Sequence, residues 1–96
     1  SIELNGNGLA SPGSLNTFAY NLDRIGKWEA GVELLKTAIE LYPKEANLYD
    51  TLGEFYAKKA MKEKAIEFYQ KALAADASYP NAAKAKEILQ KLLAEK

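Results

Sequence analysis

The 96 residues include no cysteine and no histidine. Disulfides, a thiolate nucleophile, a Ser-His-Asp triad and a zinc site of the usual ligands are thereby excluded. Lacking cysteine, the sequence leaves the redox compartment undetermined. Net charge is absent too: thirteen Lys and Arg balance thirteen Asp and Glu. Electrostatics therefore give no reason to expect nucleic acid or an anionic membrane as partner. No apolar run approaches the ~20 residues that span a bilayer. No basic segment followed by an apolar one marks a signal peptide, so localisation is unknown; Ser1 in place of Met suits a processed chain or a fragment.

Chemistry is tested by the same kind of absence. No Ser is followed by Lys three residues on, which removes that nucleophile pair. Gly6-Asn7-Gly8 followed by Ser11 lacks the third glycine and the preceding strand of a dinucleotide fingerprint. Carboxylates recur at i, i+4 in Asp50/Glu54, Glu29/Glu33 and Glu63/Glu67. Such pairs can do acid/base work or hold a divalent cation. The second and third read as solvated helix faces, with Lys62, Lys64 and Lys71 close by to offset the charge. Trp28 reads as packing at a helix start, beside Val32. The expectation is a protein that is not an enzyme, with no cofactor and no metal.

What is present is apolar and periodic. Hydrophobic residues make up 48 % of the chain, enough for one small domain that buries roughly 60–65 % of its unfolded surface. In the stretch YDTLGEFY, Tyr49, Leu52, Gly53 and Tyr56 recur at i, i+3, i+4 and i+7, one stripe of a helix. Glycine there costs about 1 kcal/mol relative to alanine. Apolar periodicity continues across Gly53, which argues against a turn.

A shift of 34 residues places 12–45 on 46–79. Thr17 meets Thr51, Glu29 meets Glu63, Glu33 meets Glu67 and Ala38 meets Ala72, and residue types match more widely, as in Val32 with Ile66. Each unit reads as two helices. The first runs from about Pro12 to Ile25, with Ser11 as N-cap, Pro12 in the first turn and Gly26 at its end. Its apolar stripe is Leu15, Phe18, Ala19 and Leu22. The second, about Trp28 to Leu41, carries Gly31, Val32, Leu35, Ala38 and Ile39 before Pro43 stops it. The next unit repeats this with Tyr49 to Lys58, then Lys62 to Ala75 carrying Ala65, Ile66, Tyr69, Ala72 and Leu73. The glycines now have a purpose. Gly53 pairs with Ala65 twelve positions later, and Ala19 with Gly31, so that paired helices approach closely where neither has bulk.

These residues carry a resemblance. LYDTLGEFYAKKAMKEKAIEFYQKAL resembles a tetratricopeptide repeat through Tyr49, Leu52, Gly53, Tyr56, Ala65, Tyr69 and Ala72. The first unit matches through Phe18, Ala19, Leu22, Gly26, Gly31, Leu35, Ala38 and Pro43. Leu15 replaces the usual first aromatic, and Ala77 stands where a loop proline is expected. The resemblance covers about residues 12–95. It implies an all-α, right-handed helical-hairpin solenoid of two repeats, 12–45 and 46–79, plus a capping helix over 80–96. For that cap, a slide of three residues turns Ala85, Leu89 and Leu93 inward and aligns Pro80 with Pro43, predicting a three-residue insertion near Ala77–Tyr79. Residues 1–11 form an N-terminal extension. Ile2, Leu4 and Leu9 either dock on the first helix pair or belong to a mobile linker, the reading favoured here.

The family implies a function of recognition. First helices line the concave side of such an array, and away from the buried stripe they present Asn16, Tyr20, Asp23 and Arg24, then Asn47, Asp50, Glu54 and Lys58. An aromatic among amides and mixed charges suits an extended peptide, a partner protein or a neighbouring domain. Family members that bind chaperones hold a C-terminal carboxylate with Lys and Asn; Asp50 and Glu54 would repel one. LNTFAYNL, ELYPKEANLYDTLGEFY and AKEILQKLL are also similar to the two-repeat tail of some exported bacterial serine hydrolases of the β-lactamase class. That likeness implies an accessory C-terminal domain. A homodimer covering Leu15 and Phe18 at the uncapped first hairpin is the other alternative.

Overall fold

A computed structural model describes residues 10–95 of the chain; the expectations for Ile2, Leu4 and Leu9 and for Gly6-Asn7-Gly8 lie outside the described residues. The chain is all-α, and among the described residues there are five helices and no strand. These are α1 (Pro12–Arg24), α2 (Trp28–Leu41), α3 (Ala46–Lys58), α4 (Lys62–Ala75) and α5 (Ala82–Ala94). Each helix packs on the next as in a hairpin, and α1 also touches α3.

Local chemistry sets the ends. Ser11 caps α1 by accepting from the Ser14 amide at 3.2 Å, with Pro12 in the first turn. Ala10 and Ser11, expected in the extension, are thus tied down, since the Ala10 carbonyl also accepts from the Tyr42 hydroxyl at 2.6 Å. Gly26 ends the first hairpin's leading helix at φ 84°, and the Lys27 amide returns to the Leu22 carbonyl at 2.8 Å. Ala60 stands at the corresponding place after α3 with φ 57°, a left-handed conformation forced on an L side chain. The Met61 amide closes the same loop onto the Tyr56 carbonyl at 3.0 Å.

The core is continuous from Leu15 and Ala19 of α1 to Ala82 and Ala85 of α5. Phe55, Leu35, Leu48 and Leu52 are its largest fully buried side chains, each contributing roughly 1.5–3 kcal/mol by leaving water. Small residues let the helices approach. A Cβ on Gly53 would stand 3.0–3.1 Å from the ring atoms of Tyr69, so the glycine seats an aromatic ring of α4. A Cβ on Gly31 would stand 3.2 Å from the Ala19 carbonyl oxygen, which is the expected close approach, and 2.8 Å from Cε2 of Phe55.

Further expectations are corrected. Leu15, expected with Phe18 at the open edge of the first hairpin, is buried, whereas Phe18 is 40 % exposed as that reading expects. Helix α3 begins at Ala46 instead of Tyr49, whose hydroxyl reaches the Pro43 carbonyl at 2.8 Å. Helix α5 turns Ala82, Ala85, Ile88, Leu89 and Leu92 towards the core and leaves Leu93 57 % exposed. It starts two residues later than a 34-residue repeat of Ala46 would place it, so the connection is longer by two rather than three.

The strained turn gives a test. Ala60 is exposed and outside both helices, so Ala60→Gly removes left-handed strain without losing packing. Stability should rise by about 0.5–1 kcal/mol, read as a higher Tm or urea midpoint. A fall would show that the turn is not held in that conformation.

Candidate functional site

Helices α1 and α3 occupy equivalent places in successive hairpins, so residues about 34 apart emerge side by side between them. The eight residues singled out from the sequence divide by what they meet there. The Tyr20 hydroxyl donates to Glu54 Oε1 at 2.6 Å. Thr51 Oγ1 lies 3.5 Å from that hydroxyl and donates its own proton to the Asn47 carbonyl at 2.9 Å. Lys58 Nζ pairs with Asp23 Oδ2 at 2.5 Å, and Arg24 Nη2 donates to Asn21 Oδ1 at 2.8 Å. The Lys58 end is open to solvent, so this pair contributes at most about 1 kcal/mol.

Asp50 is the correction. It is 7 % exposed, not part of a wet groove, and its carboxylate accepts from the Tyr79 hydroxyl and from Asn81 Nδ2, the latter at 2.9 Å. A carboxylate this far from water needs such donors. They come from the α4–α5 connection, so Asp50 fastens that connection to α3. The expected Asp50/Glu54 pair is therefore split, one member internal and the other exposed.

Four residues that the helical spacing did not single out for this face complete it: Thr51, Tyr69, Tyr79 and Asn81. Tyr20 packs edge-on against Phe55, with ring centroids 5.8 Å apart, which fixes the phenol above the core. Asn16 Oδ1 is buried and, among the described residues, is the buried side-chain polar atom without a hydrogen-bond partner. Trp28 is packing, as expected: its ring meets Tyr56 edge-on at 5.9 Å and Nε1 donates to the Phe55 carbonyl at 3.0 Å.

The electrostatics of the cluster are those of phenols held beside carboxylates. Burial, then the hydrogen bond to Glu54, pushes the Tyr20 hydroxyl up to about 12. Burial, then the charges of Asp50 and Glu54, raises Tyr69 above the ordinary phenol range. Burial, then the bond to Asp50, does the same for Tyr79. All three stay protonated as donors near neutrality. Among the described residues, no group of three or more acidic side chains is placed to hold a metal ion. What the face offers is carboxylate and amide oxygens beside an exposed aromatic edge, an arrangement that receives N–H donors. No protein-family model matches the chain, and no curated protein matches it.

The phenols make alkaline stability a test of this geometry. An unfolded tyrosine releases its proton near pH 10, whereas the folded chain holds these protons longer. Above that pH the unfolded state binds fewer protons than the folded state, so stability falls as pH rises. The urea midpoint should be flat with respect to Tyr20 below about pH 10 and decline as pH climbs towards about 12; Tyr69 and Tyr79 extend the decline further. Tyr20→Phe should make the slope in that window shallower. An unchanged slope would mean that Tyr20 is not held by Glu54.

Proposed function

We propose that the chain is a non-catalytic protein–protein interaction module of the tetratricopeptide kind. In this reading the hairpins α1–α2 and α3–α4, capped by α5, wind as a right-handed solenoid whose concave side is the α1/α3 face. The observation that carries it is the exposed Tyr20 ring, its hydroxyl held by Glu54 across the two hairpins. Such a face suits an extended peptide or loop that supplies backbone N–H groups, or a Lys or Arg side chain, to Glu54. It does not suit a free C-terminal carboxylate, which Glu54 repels.

A second reading is favoured by Phe18 of α1 and Ile25 just beyond it, which are 40 % and 62 % exposed. An apolar edge of this kind at the end of an array fits a second copy or a neighbouring domain.

A peptide array probed with the whole chain, followed by titration of its best binders under light scattering, tests both. The first reading expects amide-rich or basic peptides, bound by a monomer and weakened roughly tenfold by Tyr20→Ala, with Glu54→Gln hurting the basic ones most. Binders indifferent to both substitutions would contradict it. A mass that doubles with concentration would assign the α1 edge to a second copy.

A further inference from the structure

Away from the α1/α3 face, α2 and α4 flank a groove of about 560 Å³, a size that holds side chains of a partner. Its apolar wall is Ile39 of α2, Pro43, Tyr49 of α3 and Phe68 of α4. Two of these are fixed in advance. Phe68 stacks on Tyr56, with centroids 5.6 Å apart and 26° between planes, and the Tyr49 hydroxyl is tied to the Pro43 carbonyl at 2.8 Å. An occupant therefore meets ordered rings and loses little to their rearrangement.

The charged side chains lining the groove are both lysines, Lys36 from α2 and Lys71 from α4. Each has a glutamate on its own helix, Glu33 at 3.6 Å and Glu67 at 3.0 Å, but neither glutamate lines the groove. Both ion pairs are exposed, and pairs of that kind are weak enough to exchange for a better-placed carboxylate. Lys71 also lies over the Phe68 ring at 5.0 Å, so its ammonium is held at the edge of the apolar floor.

Cations on two different helices with an apolar floor between them complement one chemistry. We propose that the α2/α4 groove is a second docking surface, for an acidic amphipathic protein segment. A leucine or aromatic side chain seats against Ile39 and Phe68, and carboxylates on either side of it reach Lys36 and Lys71. This surface is independent of the α1/α3 face, whose oxygens call for the opposite charge.

The test is selection of a phage-displayed random dodecapeptide library on the intact chain, with the winning peptide labelled for fluorescence anisotropy. The expected winners combine Leu, Phe or Trp with flanking Asp or Glu. Their binding should weaken roughly tenfold in the double variant Lys36→Glu/Lys71→Glu, weaken in high salt, and be unmoved by Tyr20→Ala. Both lysines are exposed, so the variant should keep the parent's circular dichroism and melting profile. Winners that are basic, or acidic winners unaffected by the charge reversal, would overturn the proposal. So would lysine-dependent binding to phosphatidylglycerol vesicles with no peptide selected, which would make the groove a lipid contact.

Discussion

Phe55 against the bare backbone of Gly31 is the contact on which the rest of the molecule depends. The ring is 1 % exposed and belongs to α3, the glycine to α2 and the carbonyl beneath that glycine to Ala19 of α1. Three helices from two hairpins meet there. Interiors are packed to crystal-like density, so a single extra carbon at this point has nowhere to go. The same residue also organises its surroundings: its carbonyl takes the Trp28 indole N–H, and its ring supports Tyr20 edge-on. The exposed phenol of the candidate site is therefore positioned by the core contact that joins the hairpins.

Polar fastening follows the same order. The tyrosine in each connection after a second helix reaches back along the chain, Tyr42 to the carbonyl of Ala10 and Tyr79 to the carboxylate of Asp50. In both cases a loop that would otherwise hang from helix ends is tied to the start of the preceding hairpin or to its first helix. Burying Asp50 is costly in itself, and the donors from Tyr79 and Asn81 offset that cost only in this arrangement. The carboxylate consequently specifies where the α4–α5 connection lies. It also adds to the negative field that keeps the Tyr69 and Tyr79 phenols protonated.

Much of this was legible in the sequence because it rests on local spacing. Ser11, Pro12, Gly26 and Pro43 mark helix ends by local chemistry alone, and α2 and α4 run over the expected residues. Gly31 and Gly53 announce themselves as costly residues on apolar stripes. The approach of Gly31 to Ala19 was legible, but the rings of Phe55 and Tyr69 were not, because they arrive from helices whose approach angle no periodicity encodes. Asp50 misled for a related reason. Its helical position faces outward in a lone hairpin, and its partners lie 29 and 31 residues away in a connection that repeat spacing leaves blank. Leu93 was placed inward by a register slide of three residues, where the connection is longer by two. The pairing of Tyr20 with Glu54 was half visible: the 34-residue period places them together, but nothing in it says that they bond.

The joining of the two hairpins rests on the contact between Phe55 and Gly31. The most direct measurement is a double-mutant cycle in urea, with Gly31→Ala, Phe55→Leu and the pair. With Phe55 present, the added methyl should cost about 1–3 kcal/mol despite alanine's better helix propensity. With leucine in place of the ring, most of that cost should vanish and leave a coupling above about 0.5 kcal/mol. Losses that simply add would mean that the ring does not rest on the glycine, and that the hairpins are joined in some other way.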